Sequence, residues 1–296
     1  MRVSNRFILL FLLPASALYL FFFIVPTVQA LVYSLYDWSG FGAAPQFIGF
    51  GNFQELMGDR VFWRSMGNTV GILLIGGVVV FGLAFVMTMM LSSGIRGKKF
   101  FRGIIFLPNI IAVIALTTLW GYMYTPRTGL LAAVFDAIGL TELARFPWMG
   151  PDTIFIAMMI AIVWIEVGFY VVLLLAGVDK IPPDFYESAK LDGASDWQQF
   201  RHITVPLLSD VIAIGMVLWS IHALKFFEFP FSFTGLEPNP SSYTVAVYLY
   251  ILGFGQRQPI YRLGYATAVG VMLLLVVILV VLVLRWLTRR DEVIQY

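Results

Sequence analysis

The chain has 296 residues, of which 60% are hydrophobic and only 12% charged, and its mean hydropathy is +0.87. Soluble domains carry about 25% charged residues, so this composition excludes an ordinary water-soluble globule. The absence of cysteine excludes disulfides and thiolate chemistry; the net charge of +2 says little about partners, because where the charges lie matters more than their sum, and no nucleic-acid partner is expected.

The apolar runs are about 20 residues long and are not broken by polar alternation, which predicts spanning helices rather than a barrel. The expected fold is all-α and integral to the membrane, with six spans in a single transmembrane domain. The first span is predicted over residues 7–33, preceded by Arg2 and Arg6. Ala15-Ser16-Ala17 resembles a signal-peptidase site, but the apolar run continues from Leu18 to Val25, so the segment reads as a retained span. Pro14 and Pro26 each remove a backbone donor and are expected to bend it. Residues 37–67 form a polar and aromatic segment containing Gly49-Phe50-Gly51-Asn52-Phe53. The second span is predicted over 68–91, followed by a basic loop with Arg96, Lys98, Lys99 and Arg102. The third covers 103–123 and carries Pro108 and Trp120. Residues 127–152 make another outer-type segment, whose apolar stretch at 130–140 is too short to cross. The fourth span is 153–178, the fifth 207–227 and the sixth 263–287, with an irregular stretch rich in Pro, Ser, Gly and Tyr at 228–262.

Six spans put both termini on one side, and the basic residues choose it. The terminal, second-loop and fourth-loop segments hold Arg2, Arg6, Arg96, Lys98, Lys99, Arg102, Lys180, Lys190, Arg201, Arg285, Arg289 and Arg290. The opposite segments hold Arg60, Arg64, Arg127, Arg145, Arg257 and Arg262, with Lys225 near the outer end of the fifth span. Both termini and the polar stretch 184–206 are therefore expected in the cytoplasm.

That stretch predicts a helix–turn–helix at the membrane surface. Ile181-Pro182-Pro183 stops the fourth span, and Asp184 with Glu187 has the spacing of a capping box. Gly193 supplies a turn, and Ser195 is the expected cap of a second helix, with Trp197, Phe200 and Ile203 along one face. Val205-Pro206 is expected to end it. A plain connector in a helical bundle needs only about 2–8 residues, so this segment is built for contact.

Glu187-Ser188-Ala189, three residues, Gly193, nine residues, then Ile203-Thr204-Val205-Pro206 resembles the coupling loop of binding-protein-dependent ABC importer permeases. The family pattern is Glu-Ala-Ala, x3, Gly, x9, Ile-x-Leu-Pro; Ser188 and Val205 depart from it. Residues Phe47–Phe53, Asn68-Thr69, Phe106-Leu107-Pro108 and Tyr265-Ala266-Thr267-Ala268 resemble the carbohydrate-uptake branch, the maltose and glycerol-phosphate type, and its first permease subunit. The resemblance implies a type I importer fold in a bacterial cytoplasmic membrane. It implies three protein partners: a second homologous permease, a cytoplasmic ATPase dimer and an extracytoplasmic solute-binding protein. Glu187 would be the polar contact and cap, Ser188 and Ala189 the close-packing surface, and Gly193 the bend, with Ile203 and Pro206 completing the motif. ATP and magnesium would belong to the ATPase, and no cofactor to this chain.

Ionisable groups at membrane depth are functional candidates by default. Trp120, Trp164, Glu166, His222, Phe226 and Glu228 are the candidates for a translocation path, since carboxylates, amides and aromatic rings suit the hydroxyls and C–H faces of a sugar. His222, Lys225 and Phe229 have the spacing of one helical side. Gly94-Ile95-Arg96-Gly97-Lys98 has the wrong spacing for a phosphate loop, and no metal-binding or Gly-x-Ser-x-Gly pattern occurs, so no ATP hydrolysis is expected on this chain. An ion-driven secondary transporter is the competing reading; it requires inverted repeats and mid-span carboxylates, of which only Glu166 is present. An intramembrane hydrolase would have to rest on His222.

Overall fold

The computed structural model describes residues 5–42, 44–92, 95–234, 239–255 and 260–287, with side chains from Phe11 to Trp286. Arg2, Gly94, Arg257, Arg289 and Arg290, and the side chain of Arg6, lie outside the described residues. In chain order the elements are α1 (Phe11–Tyr33), β1 (Tyr36–Asp37), β2 (Gln46–Phe47), α2 (Gly51–Gly58) and α3 (Arg60–Ser92). There follow α4 (Lys98–Ile110), α5 (Val113–Met123), α6 (Leu130–Ala137), α7 (Thr141–Ala144) and α8 (Ile154–Val178). The remainder are α9 (Asp184–Leu191), α10 (Asp196–Leu207), α11 (Ser209–Leu224), α12 (Glu228–Phe233), α13 (Val245–Phe254) and α14 (Leu263–Leu287). Among the described residues, α1, α3, α8 and α14 are each long and apolar enough to cross a membrane. The bent pairs α4–α5 and α10–α11 raise the number to as many as six.

Several predicted elements are corrected. The helix that carries the second predicted span starts earlier than residue 68, at Arg60. The third is not one straight helix: α4 and α5 meet at 97°. Pro108 withholds a backbone donor within a short 3-10 turn, and Ile111 is extended. The fifth ends at Leu224, so His222, Lys225 and Phe229 do not share a helix side. The stretch 228–262 is less irregular than its composition suggests, because it contains α12 and the apolar helix α13. In α1 the proline effect is a wide turn at Leu20–Ile24 rather than a break. The Thr27 hydroxyl donates to the Phe23 carbonyl at 2.7 Å, close to the donor that Pro26 lacks.

The described residues fall into two units, one within Met1–Phe62 and Tyr248–Val276, the other within Trp63–Val247 and Val277–Tyr296. In the first, β1 and β2 pair antiparallel, Tyr36 opposite Phe47. Asn52 is buried and donates to the carbonyls of Ser34 and Tyr36, both at 2.9 Å, tying α2 to the end of α1. Asp59 is the hub of this unit. One carboxylate oxygen accepts from the N–H groups of Val61 (2.8 Å) and Phe62 (3.2 Å), capping α3. The other accepts from the hydroxyls of Tyr248 and Tyr265. Beside it, Arg262 forms a bidentate pair with Glu55 at 2.8 and 2.6 Å and lies 4.4 Å from the centre of the Tyr265 ring. Burial favours the protonated carboxyl of Asp59, but the Tyr248, Tyr265, Phe62 and Val61 donors outweigh it and hold the group below its usual range. The Arg262 hydrogen bonds hold Glu55 down as well.

The second unit is organised on α8. Ala157, Met158, Ala161, Ile162, Val171, Leu174 and Leu175 are buried in one cluster with Ile72, Val80 and Ala84 of α3 and Leu208. Gly168 is where α4 comes closest: a Cβ there would stand 2.1 Å from the Ile105 carbonyl oxygen. Asn109, just past α4's last α-turn, donates its amide to the Ile165 carbonyl. Asn68 donates to the carbonyls of Ser241 (2.8 Å) and Tyr243 (2.9 Å), and the Thr69 hydroxyl accepts the Val245 N–H at 3.0 Å. These two polar residues anchor the chain entering α13.

Candidate coupling site and intramembrane path

The polar stretch folds into two helices joined by a left-handed glycine. Pro182 and Pro183 start α9, with the N–H groups of Tyr186 and Glu187 bonded to the Pro183 carbonyl at 2.9 and 3.0 Å. Pro183 is the N-cap and Asp184 makes no side-chain cap, so the predicted Asp184–Glu187 box is corrected. Asp184 and Glu187 instead lie in the first turn and Lys190 in the last, the arrangement that suits the helix dipole. Gly193 has φ +78°, as the spacing predicted. The Ala194 N–H bonds to Ala189 O (2.9 Å) and the Gly193 N–H to Lys190 O (3.0 Å), the paired bonds of a Schellman ending. The capping box lies on the second helix: Gln198 N–H donates to Ser195 Oγ at 3.3 Å, and Ser195 N–H to Gln198 Oε1 at 2.8 Å. Val205-Pro206 does not end α10, which runs through a wide turn at Phe200–Thr204 to Leu207. Pro206 lies at the first turn of that last segment, where a missing N–H costs little. The bend comes at Leu208, where α10 and α11 meet at 70°.

The two helices lock to each other and to the spans. Tyr186 Oη and Thr204 Oγ1 are 3.0 Å apart, and buried Gln199 donates to the Ala194 carbonyl at 2.8 Å. Phe200 is buried, with its ring 6.5 Å from that of Phe85 on α3. A cavity of about 280 Å³ lies behind them, lined by Met89, Val178, Tyr186, Lys190, Phe200 and Thr204 among others. Just before the loop, Asp179 receives Arg102 at 2.9 Å and Lys98 at 3.4 Å. Burial would raise the Asp179 carboxyl, but the two cations outweigh it and hold it below the usual range.

Of the predicted contact residues, Glu187, Ser188, Gly193 and Pro206 are exposed, while Ala189 and Ile203 are half-buried. Leu191, absent from the predicted set, is 90% exposed at the tip of α9, and Phe185 and Trp197 are exposed nearby. Exposed large apolar side chains clustered on a polar loop mark a contact surface. The signal was available in the sequence: Leu191 falls between the helix and the Gly193 turn, where α9 has no neighbour on which to bury it.

Within the spans, Glu166 on α8 is buried and stands 3.4 Å from His222 Nδ1 on α11, whose side chain is half exposed. The pair shares a crevice with Ile72, Ile162, Trp219 and Phe226. His222 meets Phe226 edge-on at 5.0 Å. A chain of ring contacts continues through Phe229, Phe233, Tyr124 and Trp120 to Trp164, which returns to α8. Trp120 Nε1 is buried without a hydrogen-bond partner among the described residues. Five of the six predicted path residues are thus joined, whereas Glu228 is exposed on the first turn of α12 and is not part of the ring series. Glu166 thus also has a polar partner on another helix, in its contact with His222.

The apolar helices of this core, two pairs of them bent, thus carry a two-helix polar loop between α8 and α11. The chain belongs to the family of binding-protein-dependent transport system inner membrane components, which matches residues 81–292. It is 34% identical to the probable ABC transporter permease protein YurN of Bacillus subtilis over 270 residues, 90% of each chain. It is 33% identical to the diacetylchitobiose uptake system permease protein NgcF of Streptomyces coelicolor over 90% of this chain and 78% of that one. A bacterial alginate ABC transporter, solved in complex with a periplasmic protein carrying an alginate pentasaccharide, contains a chain 26% identical to this one. That likeness has a TM-score of 0.82 and covers 97% of this chain and 95% of the other. The protein is accordingly an ABC transporter permease of the inner membrane, a transport component and not an enzyme.

Proposed function

We propose that this permease forms one half of the path for a sugar, oligosaccharide or polyol entering a bacterial cell. The solute arrives on an extracytoplasmic binding protein, and a second homologous permease supplies the other half. ATP and magnesium act on a separate cytoplasmic ATPase dimer, whose closure pulls on the loop of α9 and α10. In this reading the chain crosses six times, and the distribution of basic residues puts both termini and this loop in the cytoplasm. The observation that carries the reading is the loop itself: rigidly capped, turned at Gly193, cross-bonded by Tyr186 and Thr204, and exposing Glu187, Ser188 and Leu191. Force on α9 reaches α11 through α10, because the Tyr186–Thr204 bond joins the two helices and buried Phe200 sets α10 against α3.

The carbohydrate class is supported by relatives that take diacetylchitobiose, lactose, and trehalose or maltose by their names. Glu166 and His222 offer a hydrogen-bonding pair for such a solute, and Trp164, the exposed member of the ring series, offers a flat apolar face. The test is charge reversal at Glu187 in the reconstituted complex. Glu187→Lys is expected to abolish uptake and to uncouple ATP hydrolysis from the binding protein while leaving the chain folded. Unchanged uptake would overturn the proposal.

A further inference from the structure

The start of α4 is a basic, aromatic surface that the coupling loop does not use. Arg96, Lys98, Lys99 and Arg102 place four cations within seven residues. Lys98 and Arg102 pair with Asp179, the half-exposed carboxylate that meets both of them. Arg96 and Lys99 are left exposed. Phe100, Ile104 and Leu107 follow at i, i+4 and i+7, which sets them in one stripe along the helix, and all three are half or more exposed, with Phe100 at 69%. Phe101 widens the stripe. Gly97 takes φ +85° and turns the chain into the helix without a side-chain cap.

An apolar stripe with cations at one end matches an interface in which hydrocarbon lies beside phosphate. Charge complementarity selects the occupant. At the start of α4 the exposed charges, Arg96 and Lys99, are both positive, and the half-exposed Asp179 is already paired with Lys98 and Arg102. We propose that Arg96, Lys99 and the Phe100–Ile104–Leu107 stripe bind an anionic phospholipid of the cytoplasmic leaflet, its phosphate at the two cations and an acyl chain along the stripe. The site rests on the orientation given under Proposed function, and it gives α4 a fixed depth at the start of the bent α4–α5 pair.

The chain contains no cysteine, so a single Gly103→Cys carries one fluorophore beside the stripe, at an exposed position with open space around its Cα. The assembled transporter is reconstituted in phosphatidylcholine, and quenching by nitroxide-labelled phosphatidylglycerol is compared with quenching by nitroxide-labelled phosphatidylcholine. Phosphatidylglycerol is expected to quench at the lower mole fraction. Arg96→Gln and Lys99→Gln are each expected to lower that preference by roughly fivefold. Equal quenching by the two lipids, or an unchanged preference in the double variant, overturns the site. Loss of the preference on adding inorganic phosphate at constant ionic strength assigns the cations to free phosphate instead and also overturns it. Absence of quenching by either lipid shows the stripe covered by protein, with the same consequence. The side from which an impermeant maleimide reaches Ser188→Cys reports the orientation independently, so an inverted topology is distinguished from a missing lipid site.

Discussion

A methyl group at Gly168 would stand 2.1 Å from the Ile105 carbonyl oxygen, so the contact between α4 and α8 exists because position 168 has no side chain. The obstacle is backbone, which cannot rotate away. Gly168→Ala is expected to destabilise the protein by about 1–3 kcal/mol, read as a lower midpoint in thermal unfolding of the detergent-solubilised chain. Gly193 needs its glycine for the opposite reason, since open space surrounds it but φ is +78°. An L-residue there costs about 1–2 kcal/mol. Gly193→Ala is therefore expected to leave global unfolding nearly unchanged while weakening uptake, because the strain is local to the turn that aims α9. A loss of global stability as large as that of Gly168→Ala would contradict this division.

At the scale of the element, hydrogen-bonded joints carry more of the assembly than helix propensity does. The second coupling helix opens on the Ser195–Gln198 box, and Ser195→Ala should cost about 0.5–2 kcal/mol of local stability, measured as faster amide exchange over residues 196–199. Asp59 caps α3 while receiving two tyrosine hydroxyls. Asp59→Asn removes the charge that these four donors share and should lower stability by about 1–3 kcal/mol at neutral pH. The pH dependence has a definite sign. Asp59 and Glu55 both have carboxyls held below their ordinary range in the fold, so their contribution is complete above the unfolded value of about 4 and is lost as the pH falls through the folded value. Unfolding midpoints should therefore show no dependence on these groups between about pH 5 and 8 and should drop only in stronger acid; a fall centred near neutrality would contradict the assignment.

For the whole molecule, the proposed function makes the chain a lever with a wet end and a membrane end. The wet end is compact and internally bonded, and Glu187→Lys tests it through uptake. At the membrane end, Glu166 and His222 form one contact between α8 and α11, the two long helices that flank the coupling loop. A path role and a clamp role differ in their readout. If the pair meets solute, Glu166→Gln should change the apparent KM for uptake several-fold while the unfolding midpoint moves little. If it only clamps the helices, the midpoint should fall and KM should stay.

The coupling segment was legible in the sequence because its signals are local: two prolines, a glycine at the needed left-handed position, a serine followed three residues later by glutamine, and a fixed spacing to Ile203 and Pro206. Membrane residence was legible from composition alone, since charge is expensive in hydrocarbon wherever the chain places it. The bends at Pro108–Val113 and Leu208, the helix hidden at Val245–Phe254, and the Asp59 hub were not. The hub depends on groups far apart in the chain, Asp59 with Tyr248 and Tyr265, as does the contact of Gly168 with Ile105, and periodicity carries no information about such pairs. The displaced capping box has the same cause in miniature: Asp184 and Ser195 both have an acceptor and a correctly spaced partner, and the two prolines that start α9 leave only Ser195 at a true helix start. Sequence thus determined the solvent, the family loop and its turn; the tertiary structure decided where the helices break and that Glu166 and His222 meet, because those outcomes are set by packing and hydrogen bonds between segments that only folding brings within reach.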